Sequence, residues 1–293
     1  MIRERITKSS DVLKERRRRL LVKLLWVLLG LVLLLIALGF VSHIDKLLLK
    51  DVTVSGNEIL EQEELQQKTF EILEHNLFFI FARDNKFIYS KKDLKEKIMK
   101  AFPRILDIEI SNDNQTLYYK ISERERAYLW CGEIAPLYEE RFSDKDCYFL
   151  DSSGFIFDVA PKFSSGIYFT FYTYLEEGNP IGQNVLNNES INDGGSLVDL
   201  LKEKDLPAHS FVEKNDGQYE LLLDITTTTG DYAKLLFASD QTIADVYNKI
   251  NSVLPEDPFK TDFLEKRSKL EYIDARFKNR VFYRFKDAEP NAI

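Results

Sequence analysis

DVTVSGNEILEQEELQQKTFEIL, Asp51–Leu73, passes from one periodicity to another, and that change decides the fold class. Alternation begins just upstream, so Leu47–Val54 (LLLKDVTV) reads as a strand, closed by Ser55-Gly56-Asn57. In EQEELQQKTFEILEHN the period becomes helical: Leu65, Thr69, Ile72 and Leu73 share one face. Acidic residues crowd the first turn, where the helix dipole favours them. A strand that leads straight into an amphipathic helix needs a sheet with helices packed on it, so an α+β fold is expected.

Reading downstream extends the pattern. LFFIF at 77–81 is an aromatic patch, read as an ordered loop on the core, with a partner helix or the membrane surface as the other reading. Ser90 is placed as an N-cap with Asp93 three residues on, as in a capping box. Leu94, Ile98, Ala101 and Phe102 supply the apolar face, and Pro103 stops the helix. Two alternating strands follow, with Leu106, Ile108 and Ile110 on one and Leu117, Tyr119 and Ile121 on the other. Asn112-Asp113-Asn114-Gln115 turns between them. The expected order is β-α-α-β-β.

Reading upstream reaches a membrane signal. Residues 1–23 carry a net charge of +6 within a chain of −8, leaving −14 on the rest. An acidic body argues against nucleic acid as a partner. After Arg16, Arg17, Arg18, Arg19 and Lys23 comes LLWVLLGLVLLLIALGFV, Leu24–Val41, with no charge. At about 1.5 Å per residue it spans roughly 27 Å, close to a bilayer core. A cleaved signal peptide would have a shorter apolar run and a small-x-small site, and LGFVSHID offers none. The basic block holds its end in the cytoplasm, so the bulk is expected outside. There Cys131 and Cys147 meet oxidising conditions; a bridge is favoured over two free thiols, worth about 3 kcal/mol for so short a loop.

Beyond Glu123 the texture shifts to short strands. They are expected near Tyr128–Cys131, Tyr148–Leu150, Phe155–Asp158, Ile167–Tyr172, Tyr219–Ile225 and Tyr232–Phe237. Two more, Leu270–Phe277 and Arg280–Phe285, form a closing hairpin with the last strand as an open edge. Two helices interrupt: Ser196 to about Lys204, and one capped by Asp240 and ended by Pro255. Asn184–Gly195 reads as a mobile polar loop.

Chemistry is scarce. The three histidines, His43, His75 and His209, have no neighbouring nucleophile motif, and no Gly-rich phosphate loop or metal-ligand spacing occurs. Asp151 suits the turn Asp151-Ser152-Ser153-Gly154 better than acid/base work, because Asp bonds its own backbone there. Asp274 is expected to meet a basic neighbour across the sheet. No catalytic residue, metal, cofactor or small-molecule substrate is therefore expected. The edge of the closing hairpin has two readings: an ordinary strand in a sheet, or a site where a partner's extended segment adds a strand.

Five stretches in order resemble the FtsQ/DivIB family of bacterial cell-division proteins. They are DVTVSGN at 51–57, AFPRILDIEI at 101–110, ISERERAYLW at 121–130, YFLDSSGFIF at 148–157 and LEYIDARF at 270–277. Arg126 departs from the family's usual proline, and Ala275 from a larger apolar residue. The resemblance implies a basic cytoplasmic tail (1–23), a single transmembrane helix (24–42), a POTRA domain (47–124), a mostly antiparallel β domain with two helices (125–286) and a flexible tail (287–293). It further implies a non-enzymatic bitopic scaffold at the division septum of the cell membrane. This scaffold holds FtsB-like and FtsL-like coiled-coil proteins, alongside other septal membrane proteins, to regulate septal wall synthesis. Carried over by motif, the partner-binding edge is Arg276 and Phe277, with Asn279, Val281, Tyr283 and Phe285 along or beside it. A POTRA-bearing envelope-assembly or secretion factor is the runner-up, and an anchored extracytoplasmic enzyme is the third reading.

Overall fold

The computed structural model describes residues 3–74, 80–133, 135, 146–162, 167–185, 188–214, 216–226, 232–278, 280–286 and 291–292; for 3–13, 188–193, 196, 226 and 291–292 it describes the backbone alone. The class is α+β. The chain divides into two units, Met1–Glu123 and Arg124–Ile293.

The first unit opens with one long helix, α1 (Arg3–Ser42). The basic arm is the first part of this helix, not a separate segment. KERRRRLLVKLL contains no Gly or Pro, and Arg, Lys and Leu are good helix formers. The portion Lys14–Ser42 is long and apolar enough to cross a membrane. Every residue from Leu24 to Val41 except Gly39 is exposed, as are Arg16 to Arg19 and Lys23.

A small layered core follows. Strand β1 (Asp51–Ser55), helices α2 (Gln62–Leu73) and α3 (Lys91–Ala101), and strands β2 (Ile105–Asp113) and β3 (Thr116–Glu123) succeed one another. The sheet order is β1-β3-β2. β1 runs parallel to β3, with Val52 opposite Leu117, and β2 runs antiparallel to β3. A parallel pair needs a crossover, which α2 and α3 provide. Leu65 and Leu73 of α2 and Leu94 and Ile98 of α3 are buried against Val52, Ile108, Leu117, Tyr119 and Ile121. A deep polar contact between helix and sheet is satisfied: Thr69 Oγ1 lies 2.9 Å from Tyr119 Oη and donates to Leu65 O. Ser90 caps α3, accepting from Asp93 N at 3.2 Å. Gly56 takes φ +79°, and a Cβ there would collide with the Ile121 carbonyl oxygen. Three expectations fail in detail: β1 begins at Asp51 instead of Leu47, Ala101 at the end of α3 is exposed, and Leu106 does not face inward. A register shift between Ile105 and Asp107 turns Ile105 inward and leaves Leu106 49% exposed.

The second unit is built on one ten-stranded sheet. Its strands are β4 (Tyr128–Trp130), β5 (Cys147–Leu150), β6 (Ile156–Ala160), β7 (Thr170–Tyr172), β8 (Ala208–Glu213), β9 (Gln218–Thr226), β10 (Tyr232–Ala238), β11 (Leu270–Asp274), β12 (Phe282–Phe285) and β13 (Asn291–Ala292). They lie in the order β13-β12-β11-β10-β9-β8-β7-β4-β5-β6. The sheet is mixed: β4–β7, β7–β8 and β10–β11 are parallel and the remaining neighbours antiparallel. Helix α4 (Asn188–Glu203) is the crossover from β7 to β8. Helices α5 (Ile243–Val253) and α6 (Phe259–Lys266) cross from β10 to β11. Leu197, Leu200 and Leu201 of α4, Val246 and Ile250 of α5, and Phe259 and Phe263 of α6 share one core with Phe171, Phe211, Leu221, Leu235, Phe237 and Ile273.

Four expectations are corrected here. Asn184–Gly195 is not one polar loop, since α4 begins at Asn188 instead of Ser196. Burial of Leu197, Leu200 and Leu201 outweighs the poor helix propensity of the Asn-, Asp- and Gly-rich first half. Three helices stand where two were expected, because α6 shows only a short Phe259/Phe263 signal. The cap of α5 is Thr242, which accepts from Asp245 N at 3.1 Å, not Asp240. The tail 287–293 contributes a strand, β13, and is not wholly loose.

Candidate partner-binding edge

The closing hairpin is flanked by β10 on one side and, over a short stretch, by β13 on the other. β11 pairs in parallel with β10 and antiparallel with β12, with Ile273 opposite Tyr283 and Asp274 opposite Phe282. The outer side of β12 meets β13 at two positions, Phe282 opposite Ala292 and Tyr283 opposite Asn291. The chain's own last residues thus occupy part of the edge that was expected to stand open.

The connection between β11 and β12 is pinned by a polar cluster. Asp274 is 5% exposed, and its Oδ1 accepts from Arg276 N (3.1 Å) and Nε (2.8 Å), while Oδ2 accepts from Nη2 (2.6 Å). A fork-to-fork pair of this kind fixes direction as well as charge. Its hydrogen bonds, with the charge of Asp274, raise the Arg276 pKa against the effect of burial. Arg276 Nη1 also donates to Gln218 Oε1. Lys249 Nζ of α5 donates to Ala275 O and Phe277 O, each at 2.8 Å, and Gln241 Nε2, just ahead of that helix, donates to Ala275 O at 3.0 Å. Burial lowers the Lys249 pKa, opposed by Asp245 and Asp274. Asp274, the last residue of β11, therefore meets its basic partner two residues along the chain, in the connection to β12, not across the sheet.

Strand parity then sorts the side chains, since neighbours on a strand point to opposite faces. Val281, Tyr283 and Phe285 are 1%, 0% and 2% exposed. Tyr283 Oη donates to Asp262 Oδ2 at 3.0 Å, and its ring stands edge-on to Phe259. At Tyr283 and Phe285 of β12, and at Val281 just before it, the side chain is turned into the core and only backbone is left for a partner. Phe277 is 49% exposed, with its ring 4.8 Å from Phe282 in a T-shaped pair. Arg284 Nε meets Glu271 Oε2 at 3.0 Å on the same outer face. Arg276 is a clamp that aims Phe277 outward, and Asn279 lies outside the described residues. The sequence reading missed Phe282, Arg284 and the clamp residues Gln218, Gln241 and Lys249. The signal for Arg284 was present: if Tyr283 and Phe285 are core, Arg284 between them must face out.

Cys131 and Cys147 are bridged. They stand next to the Trp130–Tyr148 pair of β4 and β5, so the bond crosses two neighbouring strands. Asp151 serves its turn: Oδ1 accepts from Ser153 N, Ser153 Oγ and Phe155 N. Arg124 pairs with Oδ2 and lies over the Phe155 ring. Burial pushes the Asp151 carboxyl up, but these hydrogen bonds outweigh it and hold its pKa below the ordinary value. Among the described residues, no cluster of His, Cys, Asp and Glu is arranged to hold a metal ion. Compared with known protein families the chain matches no family model, and compared with curated proteins it finds no significant match.

Proposed function

We propose that this chain is a non-enzymatic, single-pass membrane scaffold of the bacterial division machinery, of the FtsQ type. Unit 2 would receive an extended segment from an FtsB-like or FtsL-like coiled-coil partner along β12, and the protein would act at the septum to regulate wall synthesis. The observation that carries this reading is the β12 edge: among the described residues its covering strand pairs at two positions, and the exposed Phe277, with the half-buried Phe282 against it, stands beside it. Strand addition needs both features, backbone for affinity and alternate side chains for specificity. Two further features support it. Helix α1 is of spanning length and precedes a β-α-α-β-β unit, the order of a POTRA domain. In this reading the partner strand takes the place of β13.

The test is co-purification of the full chain from membranes, wild type against the double variant Phe277→Glu, Phe282→Lys. Phe277 is exposed and Phe282 half-buried, and neither belongs to the core cluster, so the fold is expected to survive. Tyr283 is unsuitable for this purpose because it is core. Small bitopic coiled-coil proteins should come down with the wild type and be lost with the variant. If they persist, the edge is not the site. If the wild type brings down barrels or lipoproteins instead, the division reading falls and the envelope-assembly reading replaces it.

A further inference from the structure

Helix α1 does not hang from unit 1 by a linker. Its last turn is bolted to the segment 80–89. Ser42 is 4% exposed and Asn85 2%. Ser42 Oγ donates to Gly39 O and accepts from Ala82 N at 3.1 Å, while Asn85 Nδ2 donates to Ser42 O at 2.8 Å. Asn85 Oδ1 in turn accepts from Phe87 N at 3.0 Å. Backbone bonds continue the join, with Lys86 N to Leu47 O and Leu49 N to Asp84 O, both at 2.9 Å. Gly39 makes the close approach possible, because a Cβ there would collide with Ile80 Cγ2 and stand 3.2 Å from Ile80 O.

The bolt fixes what lies beside the end of the helix. Phe40 is 78% exposed, Ile44 46%, Ile80 40% and Phe87 78%. Outside α1, Phe87 and Leu264 are the most exposed large apolar side chains among the described residues. Phe40 and Ile44 stand at the end of α1, and Ile80 and Phe87 on the segment bolted to it, so exposed apolar side chains lie on both sides of the join. Lys46 is exposed, and Lys86 Nζ sits 5.3 Å from the Phe87 ring centroid. Aromatic rings with lysines over them are the side chains that settle where hydrocarbon meets headgroups, the ring on the apolar side and the ammonium on the phosphates. Water is the wrong solvent for this surface, and continuity with α1 names the right one.

We propose that Ile44, Ile80 and Phe87, with Lys46 and Lys86, form a foot that seats unit 1 on the phospholipid surface of the leaflet opposite the basic arm. The foot sets unit 1 at one fixed height and orientation on the membrane. It rests on the reading that α1 crosses the bilayer, and it does not depend on the identity of any protein partner.

The experiment uses the full chain in phosphatidylcholine–phosphatidylglycerol vesicles, with one nitroxide at a time on Phe87→Cys, Leu33→Cys or Leu264→Cys; Cys131 and Cys147 stay bridged. Collision rates with oxygen and with a water-soluble nickel chelate report depth. The expected result is a buried label at position 33, a freely wetted label at 264, and at 87 a several-fold loss of nickel collisions with a gain in oxygen collisions. If 33 is buried while 87 matches 264, the foot is overturned and the membrane helix stands. If 33 is itself wetted, α1 does not cross, and the foot falls with it.

Discussion

The two units use the same device at one point and differ almost everywhere else. In each, a buried carboxylate orders a turn and faces an arginine. Glu123 of unit 1 accepts from the N–H groups of Glu58, Ile59 and Leu60, with Arg104 at 4.0 Å. Asp151 of unit 2 accepts from Ser153 and Phe155 and pairs with Arg124. Burial pushes both carboxyls up, and the bonds they accept hold both below their ordinary range. Around this shared device, unit 1 closes a three-stranded sheet under two helices, mostly with sequence neighbours. Unit 2 assembles ten strands through helical crossovers and a disulfide. A small sheet gets its stability from local consistency, and a wide one depends on contacts between distant segments.

The largest test of that contrast is a pair of core truncations. Tyr119→Ala in unit 1 and Tyr283→Ala in unit 2 each remove a fully buried ring and should cost about 3–5 kcal/mol. Hydrogen exchange on the full chain should show lost protection confined to the mutated unit. Loss in both units from either variant would break the division. Next, Cys131→Ser with Cys147→Ser should lower the stability of unit 2 by about 3 kcal/mol and leave unit 1 unchanged, read in the same exchange experiment.

A gain is expected at Gly194 and Gly195, which lie inside α4. A Cβ on Gly194 would make ordinary contact with Ile243 Cδ1 at 3.8 Å, and one on Gly195 would lie 4.0 Å from Tyr128 Oη. Changing both to Ala should stabilise unit 2 by roughly 1 kcal/mol per site, seen as a higher denaturation midpoint. Removing residues 287–293 uncovers β12 and should tighten the proposed partner by up to about tenfold in a titration, since few backbone bonds are displaced. No change in affinity would mean that β13 does not compete for the edge.

The finest difference lies in pH. His209 packs against Tyr232, and among the described residues its Nδ1 has no hydrogen-bond partner. Burial lowers its pKa from 6.5, opposed by Asp224 and the Leu222 backbone. The unfolded chain takes up a proton that the folded unit resists, so unit 2 should lose stability as pH falls below about 6.5. Glu123, lowered from 4.5, contributes stability that is present above that value and lost only as pH falls below it. Exchange protection between about pH 7.5 and 5.5 should therefore decline in unit 2 alone, and His209→Phe should abolish the decline. An equal decline in both units would remove this distinction.

Several elements were legible because their signals are short-range. The long apolar helix follows from an uncharged apolar run, and the Ser90 cap from one hydroxyl ahead of an apolar period. The β2–β3 hairpin follows from alternation on either side of a polar turn, and the Asp151 turn from Asp ahead of Ser-Ser-Gly. At the candidate edge, Phe277 and Arg276 could be placed on the closing hairpin by reading along the chain. Which face of β12 looks outward was also encoded, in the parity of Tyr283, Arg284 and Phe285. That parity was read too loosely, since Phe282 interrupts the alternation.

By itself, the sequence determined the α+β class, a helix fit to span a membrane, and the local strands, turns and caps, because each depends on a period or a side chain within a few residues. Only the tertiary structure decided the order of the ten strands, the early start of α4, the inward turn of Ile105 in place of Leu106, the bolt between Ser42 and Asn85, and the strand β13 that covers β12. In these cases distant segments compete for the same buried surface or the same backbone hydrogen bonds. The outcome depends on packing between parts of the chain that no local pattern brings together.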